Sequence, residues 1–379
     1  MNSPATTTIH RGAVGEAGSL YTRLLATDPQ GPNAGAMLLT WELRLHVADD
    51  GGPSFPIWRS LDGGHSWEHL SDVADALGRG NRYQPMMIEL TEDLAHLRRG
   101  DLLLAGNSIP TDGSSTTLAL YSSRDGGASW AYESTIDQGG PAIYSPRSDA
   151  TTTAVWEPDL HVLDGVLHCY LADERDKAAG MLQTITRRSS SDLRTWSEKD
   201  LVCGIGDRKH RPGMFVGTGA MPDGLHRAVI EIVGPPEVPV HLLTSTDGVD
   251  WGDPAEIGLP LVATDGTAVS GTPTIAWRRV DGDPENSENS ENVEMIVTGR
   301  HSLRDGVAGN RALRSRDLGA TWTSFELPTP AVRSLVGDGS GYSQSVRWNA
   351  AGQLVHATTV ASPTGGHDVV VTVAESVPS

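Results

Sequence analysis

A short phrase recurs five times along this chain, and its spacing restricts the fold more than any other feature of the sequence. Three copies follow the pattern S-x-D-x-G-x-x-W and end at Trp67, Trp130 and Trp322. Two further copies, each one residue shorter, end at Trp196 and Trp251. Successive aspartates of the five copies lie 63, 67, 55 and 70 residues apart. A turn that returns at such nearly regular intervals indicates a repeat architecture.

The residues around each copy predict β-strands and leave little room for helices. Apolar and polar residues alternate in short runs, such as TTLALYSS before the second copy, and Gly, Pro and Asp bound these runs. A repeat of roughly 60 residues that holds about four strands is typical of a propeller blade. The 379 residues therefore accommodate about six such units. We predict an all-β fold, a six-bladed β-propeller of four-stranded antiparallel blades.

The repeats extend over the whole chain and predict a single domain, residues 1–379. A propeller ring must close, because an open sheet edge invites pairing with other chains. We expect the C-terminal run HDVVVTVAES to share a blade with strands of the N-terminal segment. Residues 281–292, DGDPENSENSEN, are acidic and poor in hydrophobic residues, which predicts a disordered loop insertion.

Composition restricts the partners of the chain. It has 48 Asp and Glu residues against 29 Lys and Arg residues, a formal net charge of −19. Nucleic acids and anionic membranes attract basic surfaces, so neither is expected as a partner. No run approaches the ~18 apolar residues of a membrane span. The N-terminal stretch lacks the features of a signal peptide, so we expect a cytoplasmic protein if the chain is complete and a secreted one if a leader was removed.

Cysteine and histidine give no sign of a metal or cofactor. The two cysteines, Cys169 and Cys203, form neither a disulfide framework nor a Cys-x-x-Cys pair. We expect both to be buried, as free cysteines usually are. The histidines lack the spacing of metal ligands. The sequence therefore predicts no cofactor and no metal site.

The recurring phrase resembles the Asp-box of sialidase-like β-propellers. That resemblance implies that each copy lies in the turn between the third and fourth strands of a blade. The aspartate would cap amides of the turn, the glycine would permit a tight backbone, and the tryptophan would pack between adjacent blades. The box is thus predicted to be structural, and the site should lie at the opposite end of the propeller.

At that opposite end, the starts of the innermost strands meet the ends of the second strands. Polar residues precede a proline at four predicted innermost-strand starts, and proline suits a first strand position because its missing N–H is not needed there. Two carboxylates in such a cleft suit glycoside cleavage, in which one protonates the departing oxygen and the other attacks the anomeric carbon or activates water. We expect these residues to line the site: Arg82, Gln84, Glu157, Asp173, Glu174, Arg211, Glu231 and Tyr342.

The series Trp156-Glu157-Pro158, Ala172-Asp173-Glu174, Arg211-Pro212-Gly213-Met214 and Glu231 resembles glycoside hydrolase family 93, the exo-acting α-L-arabinofuranan hydrolases. The resemblance implies a six-bladed propeller and a retaining mechanism. Glu157 would be the general acid/base and Glu231 the nucleophile, and Tyr342 matches a tyrosine near the catalytic centre of that family. Substrate-binding roles are expected for Arg82, Gln84, Asp173, Glu174 and Arg211.

We therefore predict a glycosidase that removes units from the end of an arabinan-like α-L-arabinofuranosyl carbohydrate, acting as a monomer. One alternative is an exo-sialidase, although an R-I-P motif is absent and that enzyme needs three arginines for the substrate carboxylate. Another is a polysaccharide lyase or a non-catalytic carbohydrate-binding propeller, because an Asp-box is evidence of fold and not of function.

Overall fold

The computed structural model describes residues 5–12, 19–43, 52–143, 152–280, 293–329 and 340–375. The predicted disordered loop, residues 281–292, lies outside the described residues. In the described part of the chain, nearly all regular structure is β-strand, with one 3-10 helix at Arg175–Ala179. Six antiparallel four-stranded sheets and one smaller sheet result. The predicted all-β, six-bladed propeller is confirmed.

The first three blades each use four consecutive strands, numbered outward from the innermost. Blade I contains β2 (Ser19–Ala26), β3 (Met37–Leu43), β4 (Phe55–Ser60) and β5 (Glu68–Val73). Blade II contains β6 (Asn81–Glu89), β7 (Leu102–Ser108), β8 (Thr116–Ser123) and β9 (Ala131–Gly139). Blade III contains β10 (Val155–Leu163), β11 (Val166–Asp173), β12 (Thr184–Ser190) and β13 (Asp200–Gly204).

Blade IV contains β14 (Arg211–Ala220), β15 (His226–Val233), β16 (Val240–Ser245) and β17 (Leu259–Pro260). Blade V contains β19 (Thr274–Arg279), β20 (Val293–Thr298), β23 (Arg311–Ser315) and β24 (Thr323–Glu326). A three-stranded sheet precedes and interrupts it, formed by β18 (Ala268–Ser270), β21 (His301–Arg304) and β22 (Val307–Gly309). Blade VI contains β25 (Ser345–Trp348), β26 (Leu354–Ala361), β27 (His367–Ala374) and β1 (Ala5–His10).

Blade VI takes its outermost strand from the start of the chain. β1 pairs antiparallel with β27, with Thr6 opposite Thr372 and Thr8 opposite Val370. In blades I to V the box lies between the third and fourth strands, as the resemblance implied. Blade VI has no such turn because its third and fourth strands come from opposite ends of the chain. Five boxes are therefore what a six-bladed ring closed in this way requires.

Each complete box is held by its own set of hydrogen bonds. In the first, the Ser60 hydroxyl donates to Asp62 Oδ1 (2.8 Å) and accepts the Gly64 amide (2.8 Å). The Ser66 amide donates to Asp62 Oδ1 (2.8 Å). Trp67 Nε1 donates to the Gly64 carbonyl (2.9 Å). The other two complete copies repeat these bonds, which shows that the aspartate and serine fix the turn.

The hydrophobic core is divided among the interfaces between blades. Among the described residues, seven apolar clusters are formed, and each contains residues of two adjacent blades. The box tryptophan of a blade packs in the cluster that the blade shares with its predecessor. The interface between blades V and VI has no box and instead contains Trp348. Each indole therefore contributes apolar area where one blade must adhere to the next.

The innermost strands share a backbone distortion at the end opposite the boxes. One residue near the start of each has φ between 41° and 61°, in the left-handed region, and none of the six is glycine. The distortion occurs three residues after Arg211 and one residue after Tyr342, so these two residues do not occupy the positions that Gln84 and Glu157 occupy in their blades. The six residues, from blade I to blade VI, are Tyr21, Gln84, Glu157, Met214, Thr272 and Ser343.

These left-handed residues turn their amides toward the preceding blade. The Met214 amide donates to Glu157 Oε2 (2.8 Å), and the Glu157 amide donates to Gln84 Oε1 (3.0 Å). The Ser343 amide donates in the same way to Thr272 Oγ1 (2.9 Å). In these three cases, the side chain of one left-handed residue accepts the amide of the next.

Second-strand carboxylates complete this ring where the preceding left-handed residue supplies no acceptor. The Thr272 amide donates to Glu231 Oε2 (2.6 Å), and the Gln84 amide donates to Glu42 Oε2 (3.1 Å). Between blades VI and I, the amide of Tyr21 donates to a backbone carbonyl (3.1 Å). All six junctions at this end of the axis are thus hydrogen-bonded, and Glu157 and Glu231 both take part.

Trp322 tests the role of the box tryptophan. Its side chain is 5% exposed in the cluster between blades IV and V, so W322A should lower the free energy of unfolding by about 3–5 kcal/mol. Urea titration followed by circular dichroism measures this change. In the control L259A, which truncates a side chain that is 74% exposed, stability should change by less than about 0.5 kcal/mol. Equal midpoints for W322A and the wild type would contradict the assignment.

Candidate active site

A cavity of about 470 Å³ lies at the end of the propeller where the innermost strands begin. Blades II to VI contribute to its described lining. Aromatic rings of Tyr83 and Trp156 lie on one side, and the segment that leads into β19 lies on another. The structure brings five of the predicted site residues together here: Gln84, Glu157, Arg211, Glu231 and Tyr342.

Glu157 is held by the distortion at the start of β10. Its own amide is tied to Gln84, and its carboxylate accepts the Met214 amide at Oε2 (2.8 Å). The pKa of Glu157 is raised to about 8, mainly by burial and secondly by the negative charge of Glu231. The Met214 amide and the Arg211 guanidinium oppose this shift more weakly. Glu157 is thus placed to hold a proton near neutral pH.

Glu231 projects from β15 between two isoleucines and is 8% exposed. Burial raises its pKa as well, but three groups favour its charged form: the Thr272 amide, Arg211 and Arg300. Glu157 has only two such groups, the Met214 amide and Arg211, and Glu174 opposes its ionisation, so Glu231 is the carboxyl group of the pair that ionises first. The unequal surroundings therefore favour a state with one protonated and one ionised carboxyl group, which is the arrangement that glycoside cleavage needs.

A buried ion cluster behind the cavity holds Arg211 in place. Arg211 Nη2 donates to Glu174 Oε1 (2.7 Å) and to Gln183 Oε1 (2.7 Å). Glu174 also pairs with Lys177 Nζ (3.0 Å) and accepts Trp156 Nε1 (3.1 Å). Glu174 is fully buried and does not appear in the described lining of the cavity. Its contacts position Arg211 and the indole that do line it.

Two further predicted residues lie apart from the described lining. Arg82 donates to the carbonyl of Ile109 (2.8 Å) and to the hydroxyl of Thr111 (3.1 Å), so it ties β6 to a neighbouring loop. Asp173 forms ion pairs with Arg175 (2.7 Å) and Lys199 (3.1 Å). The side chains of Asp173 and Glu174 point to opposite sides of the chain, so Asp173 faces this network and Glu174 faces Arg211.

Sequence reasoning missed several polar residues of the lining, among them Gln183, Arg300 and His301. Arg300 follows β20, and its amide donates to the carbonyls of Ser270 (2.9 Å) and Gly271 (2.8 Å). The rule that second-strand ends contribute to the site would have found Arg300 if it had been applied to blade V. Gln183 and His301 follow no repeated pattern, since Gln183 precedes a third strand and His301 is the first residue of β21 in the additional small sheet.

Gly213 shows how closely the site is packed. A Cβ at this position would lie 2.4 Å from Gln183 Nε2 and 3.3 Å from Glu157 Oε2. Any side chain would therefore push the proton-bearing carboxyl group or the amide that supports Arg211. The glycine of the R-P-G-M motif is explained by this close approach.

The described residues contain no group of three His, Cys, Asp or Glu side chains placed to hold a metal ion. Both cysteines are buried and free. None of the described helices is long and apolar enough to cross a membrane.

Three solved structures are similar to this chain over nearly its whole length. The α-L-arabinanase of Penicillium chrysogenum, in complex with arabinobiose, is 30% identical, with 98% of both chains covered and a TM-score of 0.81. This chain belongs to glycoside hydrolase family 93. The α-L-arabinofuranosidase of Fusarium graminearum, with an iminosugar inhibitor, is 26% identical over 98% of both chains, with a TM-score of 0.82.

The family 93 α-L-arabinofuranosidase of Fusarium graminearum in complex with arabinobiose is also 26% identical to the chain. The superposition covers 97% of both chains, with a TM-score of 0.81. Comparison with protein-family models found no match, and comparison with curated protein sequences found none either. Assignment to family 93 therefore rests on these structural relatives, and it agrees with the motifs around Glu157 and Glu231.

Glu174 tests whether this family 93 site depends on the ion cluster. E174Q keeps the shape of the side chain but leaves the buried Arg211 and Lys177 without its negative charge. Stability should fall by about 3 kcal/mol or more, and KM should rise because Arg211 loses its anchor. Urea titration and initial rates measure the two effects. E198Q, at an exposed glutamate, is the matched control, and wild-type values for E174Q would refute the role.

Proposed function

We propose that this family 93 protein is an exo-acting glycoside hydrolase that cleaves α-L-arabinofuranosyl units from the ends of arabinan-like chains by a retaining mechanism. The observation that carries the proposal is the pair Glu157 and Glu231, which share one cavity in unequal electrostatic surroundings. Relatives crystallised with arabinobiose support the choice of substrate.

Glu157 is the general acid. Its raised pKa keeps it protonated at neutral pH, so it can donate this proton to the glycosidic oxygen as the bond from that oxygen to the anomeric carbon breaks. Proton donation leaves Glu157 as a carboxylate. That carboxylate then accepts a proton from the water that attacks in the second step.

Glu231 is the nucleophile. Its carboxylate attacks the anomeric carbon as the leaving group departs, which forms a covalent glycosyl ester. Arg211 and Arg300 stabilise its negative charge, and the hydrogen bond from the Thr272 amide fixes Oε2. Water activated by Glu157 hydrolyses this ester in the second step. Two displacements at the same carbon retain its configuration.

Gln84, Arg211 and Tyr342 are assigned to the sugar and its surroundings because they line the same cavity. Tyr342 belongs to the catalytic centre in this proposal, whereas Arg82, Asp173 and Glu174 act through the protein framework. A sialidase needs three arginines for its substrate carboxylate. The described lining contains two, and Glu174 already neutralises Arg211, which favours a neutral sugar.

Substitution of the two carboxylates tests the assignment. With debranched arabinan, E157Q should lose roughly 10²–10⁴-fold in kcat/KM because the general acid is removed. E231Q should be inactive on every substrate because a neutral amide cannot replace the attacking carboxylate. E157Q should keep much of its kcat/KM on a dinitrophenyl α-L-arabinofuranoside, whose leaving group needs no proton, whereas its kcat should fall because the second step loses its base. E256Q, at an exposed glutamate, should behave as the wild type.

The anomeric configuration of the first product distinguishes a retaining from an inverting mechanism. Proton NMR of the first turnovers should show the anomer with the configuration of the substrate. Wild-type turnover by E157Q or E231Q would refute the roles of these residues, and an inverted first product would refute the retaining mechanism.

The pH profile supplies a separate test. Because Glu157 must be protonated, kcat/KM on arabinan should fall as pH rises through about 8, the pKa of that group. On the acidic side, the rate should fall when Glu231 takes up a proton. The alkaline decline should be much weaker with a dinitrophenyl substrate, which needs no acid. An equal alkaline decline with both substrates would contradict the assignment of Glu157 as the acid.

A further inference from the structure

Most charged and amide side chains in the described lining of the cavity are already bound to other parts of the protein. Gln84 Oε1 accepts the Glu157 amide (3.0 Å), and Arg211 Nη2 donates to a glutamate and a glutamine (2.7 Å each). Glu157 and Glu231 each accept a backbone amide. Arg300 is different, because within the described part of the chain its guanidinium forms neither a hydrogen bond nor an ion pair. Its donors are therefore available to a ligand.

The backbone of Arg300 is held firmly by the small sheet that interrupts blade V. Its amide donates to the carbonyls of Ser270 (2.9 Å) and Gly271 (2.8 Å). The next residue, His301, pairs with Ser270 where β21 runs beside β18. Arg300 itself is partly buried, and its Nε is buried without a hydrogen-bond partner among the described residues. The small sheet thus presents an uncommitted guanidinium from a fixed base, which is what precise recognition of a ligand requires.

Arg300 and Glu231 are attached to opposite ends of one short segment, residues 270–272. Arg300 is bound to the first two carbonyls of this segment, and the Thr272 amide donates to Glu231 Oε2 (2.6 Å). A Cβ on Gly271, between them, would lie 3.7 Å from Glu231 Oε2 and 4.0 Å from the Cβ of Arg300. The arginine side chain therefore begins beside the nucleophile and is long enough to reach a sugar that Glu231 attacks.

A sugar that fills the cavity removes water from this guanidinium. Arginine carries five N–H donors and stays charged, so it needs oxygen acceptors once water has left. The charge of Arg300 favours the ionised form of Glu231, but no ion pair joins the two side chains. Oxygen atoms of the sugar are thus the acceptors that Arg300 can use when substrate is bound.

The charge of the transition state determines which sugar oxygen suits Arg300. Glycoside cleavage passes through an oxocarbenium-like state, in which positive charge is shared by the anomeric carbon and the ring oxygen. A guanidinium against the ring oxygen would oppose this charge. The hydroxyl on C2, the other neighbour of the anomeric carbon, carries no such charge and accepts a hydrogen bond. A cation beside the nucleophile is therefore best placed at the C2 hydroxyl.

We propose that Arg300 is a specificity-determining residue that donates a hydrogen bond to the C2 hydroxyl of the arabinofuranosyl unit attacked by Glu231. This assignment rests on the proposed function, because it places a furanoside in the cavity. A 2-deoxy sugar leaves the guanidinium without an acceptor in a site that water has left, so the enzyme discriminates against it. The small sheet of blade V thereby adds recognition of the sugar to a ring that already positions the two carboxyl groups.

Glycosides that lack one hydroxyl distinguish this hydrogen bond from a purely electrostatic role. The substrates are 4-nitrophenyl glycosides of arabinobiose whose nitrophenyl-bearing unit is complete, 2-deoxy or 3-deoxy, so that nitrophenol release reports attack at that unit. For each enzyme, kcat/KM of the complete substrate is divided by that of the deoxy substrate. The 2-deoxy ratio should be roughly 10- to 100-fold smaller in R300M than in the wild type, and the 3-deoxy ratio should be equal in both.

The design of this comparison isolates the contact with the hydroxyl. The intrinsic reactivity of each glycoside cancels between the two enzymes. Loss of positive charge beside Glu231 lowers kcat/KM of all three substrates by the same factor, and that factor cancels within each ratio. R304M is the matched control, because it removes a 54% exposed arginine from the same strand, and it should keep both wild-type ratios.

Crystals of E231Q with the complete nitrophenyl glycoside give a test that leaves position 300 unchanged. The C2 hydroxyl of the nitrophenyl-bearing unit should lie within hydrogen-bond distance of the Arg300 guanidinium. Equal 2-deoxy ratios in R300M and the wild type, a smaller 3-deoxy ratio instead, or a C2 hydroxyl out of reach of Arg300 would overturn this assignment alone. A wild type without activity on this glycoside and on debranched arabinan would refute the proposed function, and the assignment with it.

Discussion

The ring of backbone amides at the axis is the interaction on which the rest of this structure depends. Each innermost strand begins with a left-handed residue whose N–H points away from its own sheet, and the neighbouring blade must accept it. Gln84, Glu157 and Thr272 do this with their own side chains. Met214 has no oxygen in its side chain, so Glu231 takes over at the next junction. The proposed acid and nucleophile are thereby fixed by the contacts that hold the blades together.

This origin explains why the two carboxyl groups differ although the fold is nearly symmetric. Glu157 sits on the ring and Glu231 on the strand behind it, so different neighbours surround them. Arg300 and Arg211 lie near Glu231, while Glu157 mainly experiences burial and the charge of its partner. Blade IV and the additional small sheet of blade V depart from the repeat. These departures produce the difference between the electrostatic surroundings of Glu157 and Glu231 that glycoside cleavage requires.

The sequence was sufficient for the fold and for placing Glu157 and Glu231 in one cavity. The boxes carry their own hydrogen bonds, so they can be recognised without knowledge of the blades around them. Glu157 and Glu231 were found because each follows a rule of strand position. The rule does not determine which way consecutive residues point at the end of a strand, and therefore Asp173 and Glu174 were both chosen as lining although they face a supporting network. Arg300 was missed although it follows β20, the second strand of blade V, where the same rule applies.

The pairing of β1 with β27 has a consequence for how the chain is made. Some 360 residues of sequence separate these strands, so the last edge can close only after the ribosome has produced almost the whole protein. Until then, the edge of β27 has no partner and blade VI is incomplete. Contacts of such high sequence separation form slowly, and unpaired edges recruit other chains. The propeller is thus most exposed to aggregation in the interval between synthesis of its final strand and capture of its first.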